Sequence, residues 1–202
     1  QEHWEAVKEQ LSGDPDILAV TASKRAPGGR LLDDPGFEIQ LDGEWRNQPF
    51  SMPHNRVDLD FFRTYGIPMV AGRDFSEAHV TDLTDAVILN ETAVRKLGKD
   101  PAELIGAPMR FGNDTWRVIG VCRDFHYESL HNPIIPVMTY VRPPGHFTTI
   151  SMRVSGRNRA SVMAHIQHVW QEFQPGVAPS VRYLDDRVRE LYQNEERTMA
   201  IL

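Results

Sequence analysis

Hydrophobic positions along this chain follow two periods, and the switch between them marks its elements. The first residues, QEHWEAVKEQL, place Trp4, Val7 and Leu11 at helical spacing, so they read as an amphipathic helix and not as an apolar leader. DILAVTAS, residues 16–23, reads as a strand. A loop rich in glycine and proline follows, with Gly28, Gly29, Pro35 and Gly36. FEIQL then alternates: Phe37, Ile39 and Leu41 on one face, Glu38 and Gln40 on the other, the pattern of a half-buried strand. Asp42-Gly43 is a hairpin signal, and the expected return strand carries Trp45, Phe50 and Met52.

The middle of the chain changes period several times. Phe61, Phe62 and Tyr65 form the stripe of a short helix, with Asp58 as its expected N-cap and Gly66 as its left-handed stop. DAVILNETAVRKLG is a strand entering a helix, with Asn90 as N-cap and Gly98 as stop. DPAELIG repeats the device: Asp100 caps, Pro101 fits the first turn, Glu103 completes a capping box and Gly106 ends it. APMRFGNDTWRVIGVC reads as two strands joined at Gly112-Asn113-Asp114, and IIPVMTYV as a further strand. In the tail, TTISMRV alternates, and a helix carries Val162, Ile166, Val169, Trp170 and Phe173. PSVRYLD reads as a strand, and residues 185–202 as a last helix. Intermixed strands and helices give an α+β class with a mixed sheet. Glycine- and proline-rich turns place domain boundaries near Ala71 and Pro144. Residues 1–71 and 145–202 would then form one discontinuous unit, and residues 72–144 a smaller insertion.

Composition narrows the function classes. The 202 residues are 41% hydrophobic, which supports a packed core rather than disorder. A net charge of -6 excludes the basic surface of a general nucleic-acid binder. No run of about 18 apolar residues occurs, so none of these residues reads as a membrane span. Cys122 is the sole cysteine, so neither an internal disulfide nor a paired-cysteine metal site is available.

The search for chemistry centres on RDFHYESL, residues 123–130, which follows the apolar run VIGVC. Strand ends project side chains into clefts, and Cys122, Asp124 and His126 together suggest a nucleophile, its base and an orienting carboxylate. The structural alternative is a buried thiol, with Asp124 and Ser129 bonding local backbone and Phe125 and Tyr127 plugging the loop. His165 and His168 stand three apart on one helix, a spacing that can hold a metal, but no third ligand accompanies them. VDLD, residues 57–60, lacks the remaining ligands of a calcium loop. Phosphate loops, zinc-protease helices and serine elbows are missing from the sequence. No catalytic residue, cofactor site or metal site is assigned.

Several motifs in fixed order carry a resemblance: FFRTYGIPMVAGRDFS, DAVILNETAVRKLG, IGAPMRFG, WRVIGVCRDFHYESLHNPIIP and LYQNEERTMAIL. Together they resemble the extracytoplasmic core domain of MacB/FtsX-like ABC transporter permeases. The match is good over residues 55–142, moderate in the tail, and limited to layout over residues 1–54. The DFHYESLHNPIIP version is also similar to the second outer domain of larger, tandem-domain permeases. The resemblance implies a porter-like part built from both chain ends and an inserted sabre-like part. It implies a non-enzymatic, periplasmic portion of a bacterial inner-membrane protein, with both terminal helices continuing as membrane helices. Its implied partners are those helices, a cytoplasmic ABC ATPase, a second permease copy, and a periplasmic adaptor or substrate protein, but no nucleic acid. Phe125, His126 and Tyr127 are the expected partner contacts. Two other readings stay open: a peptide- or lipid-sensing module, which needs a pocket of about 300 Å³, and a small soluble Cys–His hydrolase.

Overall fold

Alternation becomes pleat where the sequence is most regular. The computed structural model describes residues 2–29, 31, 36–127, 132–142 and 147–184. Helix α1 (Glu2–Leu11) leads into strand β1 (Ile17–Ser23). Strand β2 (Phe37–Leu41) buries its three apolar residues and turns through Asp42 and Gly43, both at positive φ, into β3 (Glu44–Asn47). Two consecutive left-handed positions match the twist of a tight hairpin. The return strand is shorter than expected: it stops at Asn47, and Met52 is buried beyond the ladder.

The next elements are β4 (His54–Val57), α2 (Phe61–Tyr65) and β5 (Met69–Gly72). Gly66 closes α2 in the left-handed conformation. The expected cap needs correction: the position before α2 belongs to Asp60, and Asp58 accepts the Asp60 N–H at 3.2 Å. Strand β6 (Ala86–Asn90) runs into α3 (Glu91–Leu97), where Asn90 Oδ1 accepts the Ala93 N–H and Gly98 stops the helix. Pro101–Leu104 forms a 3₁₀ turn in which Glu103 accepts the Asp100 N–H at 2.7 Å. Then follow β7 (Pro108–Phe111), β8 (Asp114–Cys122), β9 (Met138–Val141), β10 (Thr149–Val154) and α4 (Arg159–Phe173). The strand expected in PSVRYLD does not form: its described residues, 179–184, join no ladder, and Leu184 is already helical. The expected last helix lies outside the described residues.

The strands form one mixed sheet in the order β10-β1-β4-β9-β6-β8-β7-β2-β3, with β5 also paired to β8. β4 runs parallel to β9 and β6 parallel to β8; the other pairings are antiparallel. The class is therefore α+β. β1 and β4 share only the pair Ser23–Val57, whereas β1 and β10 pair from Ile17–Val154 to Ser23–Thr149. Ala71, the expected first boundary, lies within β5 opposite Val121; Pro144, the second, lies outside the described residues.

Three apolar cores sit on this sheet. α3 covers one, built on Val87, Leu89, Met109, Trp116 and Val121. α2 covers a second, built on Phe61, Phe62, Ile88 and Val141. α1 and α4 cover the third, at the β1–β10 end, through Trp4, Val7, Leu11, Val162, Ile166 and Val169. Close approach of β5 and β8 depends on glycine. A Cβ at Gly120 would stand 2.3 Å from the Arg73 carbonyl oxygen, and one at Gly72 2.2 Å from that of Ile119.

Candidate functional site: a fastened terminal helix, a clasped loop and an apolar groove

Helix α1 is held to the body in two ways. Its apolar stripe, Trp4, Val7 and Leu11, is buried against β1 and α4. Its polar side sends Lys8 to the segment before α2, where the ammonium pairs with Asp58 at 3.2 Å and also with Asp60. Asp58 in turn accepts from Thr21 Oγ1 of β1, and Asp60 pairs with Arg63 of α2 at 2.6 Å. One lysine thus joins α1, β1 and α2. Burial pushes the Lys8 ammonium down, but hydrogen bonding to Asp60 and the charges of both carboxylates more than reverse this. The Asp58 carboxyl is raised as well, because there burial outweighs the Thr21 bond and the Lys8 charge. Lys8 and its two carboxylates thus form a charge cluster in which burial acts most on Asp58.

The loop after β8 is clasped from below. Asp124 accepts the Thr92 N–H at 2.8 Å and the Thr92 hydroxyl at 2.9 Å, and pairs with Arg95 at 2.8 Å. Glu91 accepts the Asp124 N–H at 2.9 Å. The carboxylate therefore closes the first turn of α3 from a distant part of the chain. Tyr127 is only 2% exposed; its hydroxyl donates to the Arg25 carbonyl at 2.8 Å and accepts from Asn55 Nδ2. Its own carbonyl accepts the Gly28 N–H at 2.8 Å. Phe125 is half-buried, its ring 5.4 Å from Tyr127 and 6.5 Å from Phe61. His126 is also half-buried. Tyr127 thus anchors the loop from inside, and Phe125 and His126 carry its outer surface.

The hydrolase arrangement is not assembled. Cys122 is 1% exposed in the α2 core, and burial pushes its thiol upward, which disfavours the thiolate that a nucleophile needs. Asp124, the expected orienting carboxylate, is committed to α3. The paired histidines of α4 also separate: His165 Nε2 lies 2.9 Å from the Gln10 carbonyl, and His168 pairs with Glu172 at 3.5 Å. Among the described residues, no three His, Cys, Asp or Glu side chains converge as a metal site.

An apolar groove of about 1230 Å³ runs beside β10. Its walls include Trp4, Ile150, Met152, Trp170 and Phe173, and residues 179–184 line it as well. Trp4 Nε1, Thr64 Oγ1 and Trp170 Nε1 are buried in these walls without a partner among the described residues.

The profile of the MacB-like periplasmic core domain matches residues 4–169. The chain belongs to that family. The macrolide export ATP-binding/permease protein MacB of Agrobacterium fabrum is 29% identical over 101 residues, 50% of this chain and 15% of that protein. The Escherichia coli K12 protein of the same name is 27% identical over 90 residues, 45% of this chain and 14% of that protein. The chain therefore spans about a seventh of the length of these relatives. The periplasmic region of MacB from Actinobacillus actinomycetemcomitans shares the fold, with a TM-score of 0.59 at 15% identity, covering 94% of this chain and 82% of that one. So does the extracellular domain of the noncanonic ABC-type transporter YknZ from Gram-positive bacteria, with 0.54 at 14% identity over 83% and 82%.

In this MacB-like domain, sequence reasoning missed the Lys8 cluster and the pairing of the half-exposed Arg73 with the buried Asp82, whose two contacts measure 2.5 and 2.8 Å. Lys8 and Asp58 lie fifty positions apart, and a lysine on a polar helix face gives no sign of its partner. Asp58 and Asp60 did stand out in the sequence as a close carboxylate pair; a cation among them was the recoverable signal.

Proposed function

We propose that this chain is the extracytoplasmic, non-enzymatic relay of an ABC-type permease. In this reading a cytoplasmic ATPase drives membrane helices attached to the chain, and α1 carries their motion into the sheet. The observation that supports it is the fastening of α1. Its apolar stripe lies in the core and Lys8 ties it to β1 and α2, so displacement of the helix displaces the body. The loop bearing Phe125 and His126, braced by Asp124 and Tyr127, then offers the contact to a substrate or adaptor protein. The two units delimited near Ala71 and Pro144 would be the porter-like and sabre-like parts of this relay.

The test uses the complete permease in cells and in vesicles. A protease site inserted at Gly112-Asn113 should be cut in spheroplasts, from outside the inner membrane. Lys8→Ala should leave ATP hydrolysis and expression in place while lowering export or release by the permease severalfold. Protection of the inserted site, or undiminished output from Lys8→Ala, contradicts the relay.

One observation favours a second reading, a ligand-sensing module: the groove beside β10 exceeds the roughly 300 Å³ lower bound of small-molecule sites. Titration of the purified chain with apolar peptides and lipids, followed by tryptophan fluorescence from Trp4 and Trp170, tests it; an unchanged signal removes it.

A further inference from the structure

β4 and β9 run parallel with Arg56 opposite Tyr140, so both side chains stand on one face of the sheet. Arg56 Nε donates to Tyr140 Oη at 3.0 Å. Arg142, the residue after β9, reaches the same ring. Its guanidinium carbon lies 5.5 Å from the centre of Tyr140 and 4.6 Å from that of Trp116. Trp116 and Phe111 pack on Tyr140 with ring centres 4.6 and 5.4 Å away, and all three rings are buried. Two guanidiniums are thereby held on a rigid aromatic base. Arg56 is half-buried, yet its side chain forms no ion pair among the described residues. A half-buried cation attracts a counter-charge. This chain has 28 Asp and Glu against 22 Lys and Arg, and sets none of its described carboxylates within pairing distance of Arg56. Tyr140, 3% exposed, accepts from Arg56 and has no acceptor for its own hydroxyl hydrogen among the described residues. Arg142 gives one nitrogen to Asp114 at 2.8 Å, but that carboxylate is 59% exposed and leaves the other donors of the fork.

We propose that Arg56, Tyr140 and Arg142 form a binding site for a phosphate group, borne by a lipid headgroup or free in solution. A planar carboxylate is satisfied by the fork of a single guanidinium. Here the guanidiniums come from two strands and both meet one tyrosine, so a tetrahedral ligand, with oxygens in several directions, engages all three. Arginine suits this duty better than lysine: its fork matches phosphate, and its plane stacks on the Trp116 ring. The aromatic base is closed to an apolar tail, so recognition ends at the phosphate and any acyl chain stays outside the site. The site holds whether or not the domain relays force, because its test reads binding and not motion.

Inorganic phosphate titrated into the 202-residue chain, against chloride at equal ionic strength, is the first test. The side-chain Nε–H resonances of Arg56 and Arg142 should shift together and saturate with phosphate, and stay in place with chloride. Arg56→Gln or Arg142→Gln should weaken phosphate binding at least about tenfold. Arg56→Lys keeps the charge and loses the fork, so it should weaken binding with the amide spectrum of the sheet retained. Asp114→Asn removes the internal carboxylate of Arg142 and should tighten binding severalfold, a gain that loss of structure cannot produce. Vesicles distinguish the sources. Cosedimentation with phosphatidylglycerol but not with phosphatidylcholine, lost in Arg142→Gln, identifies a lipid headgroup; saturable phosphate binding without cosedimentation identifies the free ion. No saturable shift together with no cosedimentation overturns the site, and so does binding that survives Arg56→Gln combined with Arg142→Gln.

Discussion

Asp74 is a half-buried carboxylate whose titration bears on stability. Burial raises its carboxyl to about 6, against the Phe75 N–H that it accepts, and the Asp60 charge adds to the rise. The folded chain thus holds this proton more tightly than the unfolded chain, where the group titrates near 3.8. Its contribution is fully present below the lower value and is lost as pH rises through the upper one. Asp74→Asn should therefore raise the melting temperature at pH 7.5 and leave it nearly unchanged at pH 4; equal effects at both would refute the assignment. Asp82 poses the opposite problem, because its side chain is wholly buried and held by Arg73 and the Ser76 N–H. Arg73→Met should cost about 3 kcal/mol in chemical denaturation, since the carboxylate is left buried without its cation. Gly120→Ala should cost about 1–3 kcal/mol, because the added methyl meets the Arg73 carbonyl and not a yielding side chain. Neither Asp74 nor Asp82 was distinguishable in the sequence from a solvated aspartate, since burial depends on what the fold lays over them.

Elements were legible where period and punctuation agreed. Asn90 and Gly98 bracket α3, Gly66 stops α2, and the alternation of β2 matches its pleat, while Ile150, Met152 and Val154 of β10 share the face packed on the third core. β4 and β5 escaped notice because each has four residues, and His54-Asn55-Arg56 presents no apolar alternation; neighbouring strands, not local pattern, make them strands. Asp58 was misread as a cap because the sequence showed its local bond to the Asp60 N–H but not Thr21 or Lys8. The loop after β8 was legible as a cluster, not as a clasp: Asp124 reaches an α3 turn some thirty residues away. At this scale, Asp124→Ala should lower stability by about 1–2 kcal/mol and speed amide exchange in the first turn of α3. A loss confined to the loop, with that turn still protected, would show that the carboxylate is not its cap.

Among the described residues the sheet runs from β10, where α1 and α4 pack, to β3. The thin β1–β4 junction lies between them: besides one ladder pair and its flanking backbone bonds, the Lys8 cluster and the α2 core connect the α1 end to the far strands, the route that the proposed relay would use. Fold class and family were readable because ordered turn and cap motifs survive at low identity. The Lys8 cluster was not, because it consists of contacts between distant positions. The most direct test places a donor dye at Glu44→Cys on β3, in the complete permease reconstituted with its ATPase and with acceptor lipids in the bilayer surface. Cys122, 1% exposed, does not compete for the label. The relay predicts that energy transfer changes between nucleotide-free and ATP-trapped states and that Lys8→Ala diminishes the change. Identical transfer in the two states would contradict it.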